Sequence, residues 1–320
     1  MLQVALNSEA KKFEKIYSHI NKYDNAMSTI LDAIKFRHLE TSGTLILAPS
    51  GTGKSRMVEQ LLAENAEYSE PEQEHIFGIY IETPDTSLNE LYIEILYKLR
   101  DVNPEAGTIA DKKRRVITLV NNIDVKVIFL DEVQVALPSS GLLPTSTFVK
   151  HLKELVNKTN CAWVLLGVPE AQAIIDVDTQ LADRFPRVIQ LENFSLKGEQ
   201  NVLDFMEYLF DLTVGFPRKL PFFQFLNDSL SDGSIDYKSD VNYDNFFRFC
   251  LASLGKPRRI RDLFIYCIES TTPDEKITKS RLADAFDRCY PNCLEHKRMN
   301  PFNSTIKEVK KTLVERGLYA

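Results

Sequence analysis

Thr44-Leu45-Ile46-Leu47-Ala48-Pro49-Ser50-Gly51-Thr52-Gly53-Lys54-Ser55 decides the fold of this 320-residue chain. Thr44 to Leu47 reads as a strand, and Arg56 to Asn65 carries the spacing of a helix. Strand, glycine-rich loop and helix, in that order, are the context that gives a P-loop pattern its meaning. The glycines let the backbone curl so that successive N–H groups point at phosphate oxygens. Ser50, Gly51, Thr52 and Gly53 form that cradle. Lys54 is expected to reach the β- and γ-phosphates of a nucleoside triphosphate, and the Ser55 hydroxyl to hold Mg²⁺. Ala48 stands where the pattern usually has its first glycine, a small substitution that the looser form of the motif permits.

The rest of the chain fits a folded, two-domain protein. Its length allows about two domains with a sizeable core. An apolar fraction of 44% and a charged fraction of 26% are ordinary for such a protein. No apolar run approaches the roughly 20 residues of a membrane span, no signal-peptide core is present, and no membrane partner is expected. Five scattered cysteines point to a reducing cytoplasm rather than a disulfide framework. Net charge is −6, which gives no general attraction to nucleic acid. The balance is uneven, however: Lys276 to Ala320 holds ten Lys and Arg against five Asp and Glu, a local +5.

Hydrophobic spacing organises the chain. Phe13, Ile16, Tyr17, Ile20, Met27, Ile30, Leu31 and Ile34 predict one or two helices packed on the domain that follows. Ile76–Ile81, Val125–Leu130, Ala162–Leu166 and Val188–Leu191 read as further strands. Between them lie helices through Leu88–Leu99, 112–121 and 148–157. The fold class expected from this alternation is α/β, a parallel sheet covered by helices on both faces. Beyond Phe194 the pattern turns helical, over 201–212, 244–253, 259–270 and 280–290.

Val127-Ile128-Phe129-Leu130-Asp131-Glu132 supplies the second half of the site. A strand ending in two carboxylates delivers them to the C-terminal edge of a parallel sheet, beside the P-loop. Asp131 is expected to organise Mg²⁺ through its water shell, and Glu132 to polarise the attacking water. The Glu beside the Asp, and an extra strand (Ile76–Ile81) between the two motifs, favour ATP hydrolysis over phosphate transfer to a small molecule.

Two further stretches, Gly167-Val168-Pro169-Glu170-Ala171 and Gln180-Leu181-Ala182-Asp183-Arg184-Phe185, narrow the reading. With the strand ending in Asp-Glu, they resemble the TnsC/TniB ATPases of bacterial transposons, members of the AAA+ class. The resemblance covers roughly residues 10 to 195. It implies an N-terminal helical segment (1–40), a P-loop AAA+ domain (41–194), an α-helical lid (195–290) and a basic C-terminal tail (291–320). It also implies that Arg184 reaches a neighbouring subunit's γ-phosphate, making hydrolysis depend on assembly. A surface ion pair is the plainer account of Arg184. One departure stands out: the fourth strand ends Leu165-Leu166-Gly167-Val168, with no polar sensor residue. Sensing then falls to Gln134 or is weak, and slow hydrolysis is expected.

Other residues carry open alternatives. Gly255-Lys256-Pro257-Arg258 resembles the AAA+ lid motif whose arginine touches the nucleotide, with Arg259 and Arg261 as rivals to Arg258. A basic helix start on the surface explains the same residues. Lys112, Lys113, Arg114 and Arg115 offer phosphate contacts to double-stranded DNA without sequence preference, or form a solvated helical face. Thr83, Asp85 and Thr86 are weaker candidates for backbone contact. Cys289, Cys293 and His296 lack a fourth ligand for zinc, and Trp163 reads as packing. Phe216, Phe222, Phe223 and Phe225, interrupted by Pro217 and Pro221, read as packing of an insertion rather than a docking surface. The tail, with Lys297, Arg298 and a helix over 305–316, is a candidate dock for a transposase subunit.

The resemblance therefore implies a cytoplasmic bacterial regulator of transposition, on the nucleoid when active. It would assemble on double-stranded DNA with ATP, as a ring or filament of roughly six or seven subunits per turn. It would link a target-selection protein to the transposase and come apart on hydrolysis. A protein-remodelling or signalling ATPase that does not bind DNA is the alternative, and a non-hydrolytic scaffold a third.

Overall fold

The computed structural model describes residues 5–39, 43–66, 76–85, 87–137, 145–220, 243–291 and 299–319. Five parallel strands form one sheet: β1 (Thr44–Leu47), β2 (Gly78–Glu82), β3 (Val127–Asp131), β4 (Ala162–Gly167) and β5 (Arg187–Gln190). Their order is β2-β3-β4-β1-β5. The three inner strands are buried along their whole length, which is why each reads as a continuous apolar run. The edge strands β2 and β5 are only partly covered and alternate instead. The strand that precedes the Asp-Glu motif in sequence, β2, lies at the sheet edge; β4 is the strand between the two motifs in space.

Helices α2 (Asn21–Lys35), α3 (Lys54–Glu64), α4 (Leu88–Lys98), α5 (Ile109–Ile123), α6 (Thr145–Lys158), α7 (Gln172–Asp176) and α8 (Thr179–Arg184) complete this unit, which runs from Lys22 to Glu192. Its core gathers Tyr92, Phe148, Trp163 and Phe185, all essentially inaccessible. Trp163 is a packing residue whose indole N–H donates to Thr159 Oγ1 at 2.9 Å. Leu31, expected on the buried face of α2, is 42% exposed; Tyr23, Ala26, Met27, Ile30, Ala33 and Ile34 form that face.

The second unit joins the described residues up to Asn21 to those from Asn193 onward. It holds α1 (Ser8–Glu14), α9 (Glu199–Val214), α10 (Tyr243–Ser253), α11 (Pro257–Glu269), α12 (Lys279–Cys289) and α13 (Ile306–Glu315). The sequence pattern puts α1 with the domain that follows it, whereas its packing partners come from the far end of the chain. Phe13 meets Phe216 and Phe264 edge-on at 5.5 and 5.8 Å, Arg218 pairs with Glu9 at 2.9 Å, and Ser18 bonds Asp211 at 2.5 Å. Phe216 is thus core. Pro221, Phe222, Phe223 and Phe225 lie outside the described residues, as do Thr86, Cys293, His296, Lys297 and Arg298. Downstream of Met299 the tail folds onto α10. Buried Arg248 donates to the carbonyls of Pro301 and, at 2.7 Å, Ser304, while Val309 and Leu313 of α13 are fully covered. No helix among the described residues is long and apolar enough to cross a membrane.

Candidate nucleotide site

The loop after β1 is shaped by backbone that most residues avoid. Gly51 and Gly53 sit at φ 85° and 97°, in the left-handed region where a side chain is strained. Gly53 caps α3 and brings no side-chain acceptor to its first turn, an arrangement that suits phosphate binding at a helix N-terminus. Thr52 is buried and folds back, its hydroxyl donating to the Pro49 carbonyl at 2.5 Å. The Tyr23 hydroxyl of α2 clamps the loop from beneath by donating to the Thr52 carbonyl, also at 2.5 Å. Sequence reasoning missed Tyr23, because helical spacing marks a buried position without saying what its hydroxyl meets.

Across the sheet, β3 carries its carboxylates to the same edge. Lys54, 6% exposed, pairs with Glu132 Oε1 and lies 3.4 Å from Asp131 Oδ1. Ser55 Oγ donates to Asp131 Oδ2 at 2.8 Å. Four of the residues picked out by motif therefore form one contiguous network, although 76 positions separate Ser55 from Asp131. Glu132 adopts φ 54°, a left-handed conformation uncommon for a residue with a side chain. Its N–H is held by Asp131 Oδ1 at 2.7 Å.

Two polar side chains flank these acids. The Tyr80 hydroxyl on β2 donates to Asp131 Oδ2. Burial, reinforced by that hydrogen bond, pushes the Tyr80 phenol far above its ordinary value, so it serves as a donor throughout the physiological range. Gln134, in the 3₁₀ turn Val133–Ala136, donates to Glu132 Oε2. Tyr80 also escaped the sequence reading; alternation on an edge strand could have flagged its face, not its partner.

The donor set fits Mg²⁺ bound together with a nucleotide. Magnesium prefers few protein oxygens and keeps water and phosphate as its other ligands. Ser55 Oγ and Asp131 are the protein oxygens placed for it. Among the described residues no group of three or more His, Cys, Asp and Glu is arranged to hold a metal by itself. Cys289 is half-buried, with its thiol raised to about 11 chiefly by burial.

Arg184 ends α8, directly before buried Phe185 and the edge strand β5. Its carbonyl accepts the Gly43 N–H at 2.9 Å, and Asp178 caps its helix through the Leu181 N–H at 2.9 Å. Arg258 belongs to the helical unit, where it is exposed in the first turn of α11. Its two rivals are engaged there: Arg259 stacks 5.0 Å from the Tyr290 ring and Arg261 donates to the Glu14 carbonyl at 2.7 Å.

The cationic run on α5 is dispersed over several partners. Lys112 is 3% exposed and donates to the Gly107 carbonyl at 2.8 Å. Lys113 pairs with Glu154. Arg115 bonds Asp101 at 2.7 Å and the carbonyls of Asn103 and Ala106 at 2.9 and 2.7 Å. Arg114 pairs with Asp111, yet its side chain is 77% exposed. The groove beside Arg114 and Arg115 is also lined by Asp101 and Asp111, so its charge is nearly balanced. Thr83 is buried and Asp85 exposed.

Residues 10–196 match the family described as "Bacterial TniB protein". In three dimensions the chain is similar to the ORC2 protein of Aeropyrum pernix, solved as ADPNP-ADP complexes. Identity is 12% and the TM-score 0.58, over 88% of this chain and 72% of that one. The A. pernix ORC1 protein in complex with DNA gives 11% and 0.58, over 91% and 73%. The Walker-type ATPase PABY2304 of Pyrococcus abyssi gives 11% and 0.51, over 86% and 73%. At these identities the likeness establishes the fold alone. No curated protein sequence matches the chain.

Proposed function

The chain belongs to the TniB family, AAA+ ATPases of bacterial transposition, and on that premise we propose that it is a nucleotide-controlled switch acting on DNA. With ATP it assembles on double-stranded DNA as a ring or filament and links a target-selection protein to the transposase. Hydrolysis dissolves the assembly. Its place of action is the bacterial cytoplasm, on the nucleoid when assembled. The observation that carries this reading is the network of Lys54, Ser55, Asp131 and Glu132 at one sheet edge.

The bound nucleotide and Mg²⁺ supply the electrophilic phosphoryl group and neutralise its charge. The protein does the rest. Ser50, Gly51, Thr52 and Gly53 wrap the phosphates with backbone N–H groups, and Lys54 exchanges its carboxylate partners for phosphate oxygens. Ser55 would hold the metal directly and Asp131 through its water shell, with Tyr80 fixing the Asp131 carboxylate. Glu132 orients and polarises the attacking water. Arg184, carried at the outer end of α8 beside an edge strand, acts on the neighbouring subunit's nucleotide and makes turnover depend on assembly. Arg258 is the candidate nucleotide contact from the helical unit. Arg114, the most exposed of the α5 cations, is the leading DNA contact, with Lys113 and Arg115 as neighbours and buried Lys112 as support.

A salt-dependent DNA mobility shift, run with ATP, ADP and no nucleotide, tests the proposal. Binding only with ATP, together with DNA-stimulated turnover, is expected. If DNA leaves turnover and oligomer size unchanged, the DNA switch is excluded and a remodelling or signalling ATPase takes its place. Mixing Arg184→Ala subunits with Glu132→Gln subunits tests the shared site. Recovered turnover in the mixture is the mark of an arginine acting across the boundary.

A further inference from the structure

Glu132 is the group in this site whose aim matters most, and its own backbone does little to fix it. A left-handed φ of 54° is unfavourable for a residue with a side chain, so the surroundings must impose the conformation. Lys54 holds one carboxylate oxygen, Oε1. The other, Oε2, accepts from the Gln134 side-chain amide. Gln134 is not suspended from Glu132 alone, because its Oε1 accepts the Val168 N–H at 3.3 Å. One side chain thus spans from the acid at the end of β3 to the turn that follows β4, the neighbouring strand (Leu130 is in register with Leu165).

The seat for that side chain is built into β4. A Cβ on Gly167 would lie 2.8 Å from Gln134 Oε1 and 2.6 Å from the Ala171 Cβ. Contacts that short are not tolerated without displacement, so any other residue at 167 would push the amide aside. The missing polar side chain at the end of β4 and the presence of Gln134 are one arrangement: the strand end recedes, and the glutamine reaches in from β3.

We infer that Gln134 is a positioning residue for hydrolysis. It fixes the Glu132 carboxylate through Oε2 and references it to the Val168 backbone. An amide suits the task because it offers a donor to the carboxylate and an acceptor to the N–H at once. Misplacing a reacting group by about 1 Å costs up to roughly a hundredfold in rate, while leaving substrate binding alone. The inference rests on Glu132 being the water-orienting group.

The experiment measures ATP turnover of the full chain with Mg²⁺ and double-stranded DNA, for wild type, Glu132→Gln, Gln134→Ala and Gln134→Glu, alongside nucleotide affinity and melting. For Gln134→Ala, kcat is expected to fall about 10- to 100-fold, with KM, ATP affinity and Tm essentially unchanged. Gln134→Glu keeps the size and the acceptor for Val168 but sets a second carboxylate against Glu132, beside Asp131 and Lys54. It removes the donor to Glu132 Oε2, so kcat should fall as in Gln134→Ala with KM unchanged. Gln134→Ala turnover within twofold of wild type overturns the inference, as does a parallel loss of ATP affinity or of melting temperature. Undiminished turnover in Glu132→Gln overturns the underlying role of Glu132 instead, so the two failures are distinct.

Discussion

Lys54 and Lys112 are both almost completely buried, at 6% and 3% exposure, and the two amines meet different kinds of partner. Lys54 stands at a glycine loop, facing two carboxylates that share its site. Lys112 stands in the first turn of α5 and caps its own connecting loop through the Gly107 carbonyl. An ammonium group among acids trades one oxygen anion for another when phosphate arrives, so its burial is compatible with binding. An ammonium group on a backbone carbonyl leaves that carbonyl unsatisfied when it moves, which opposes any exchange. The partner, more than the burial, separates a ligand-binding charge from a structural one.

The largest expected effect comes from Lys54→Met, which should lower turnover by at least about 10²–10³-fold in a steady-state assay. Lys112→Met, equally buried, should leave turnover within twofold; an equal loss in both would break the comparison. Next is Arg115→Ala, which removes three bonds holding the 101–107 loop and should cost about 2 kcal/mol in denaturant melts. If it instead changes DNA affinity at constant stability, α5 serves DNA more directly than its bonding indicates. Arg114→Ala should leave melting unaltered and reduce the salt slope of DNA binding by about 1 in a mobility-shift titration. The smallest effect is Thr108→Ala at the α5 capping box, a drop of about 2–4 °C in Tm. That cap also holds Asp111, whose carboxyl is lowered to about 2, first by the Thr108 hydroxyl bond. Because the folded value is depressed, this contribution is complete above the ordinary carboxylate range and fades only as pH falls toward 2.

Much of the sheet was legible because buried parallel strands are nearly pure apolar runs. β1 falls on the predicted residues, and β3, β4 and β5 differ by one or two at their ends. The network of Lys54, Ser55, Asp131 and Glu132 was equally open to reading, since loop and strand motifs put their side chains at a common edge. What escaped depends on partners distant in sequence. Periodicity says that a helix face is buried but not against what, so it cannot seat α1 on Phe216 and Phe264. A charge run announces cations without revealing the carbonyls and carboxylates that already occupy them, as at Lys112 and Arg115. Tyr23 and Tyr80 lie on elements that were read correctly, but their hydroxyl partners are set by tertiary packing alone.

The placement of α1 also bears on how the molecule is made. Ser18 waits for Asp211, 193 residues later, and Phe13 for Phe264. At synthesis rates of about 5–20 residues per second, that is a delay of roughly 10–40 s. The sheet unit, contiguous from Lys22 to Glu192, can close in the meantime, while the first helix remains without its partners. A substitution that weakens α1 would therefore act on the helical unit and spare the sheet unit that closes before it.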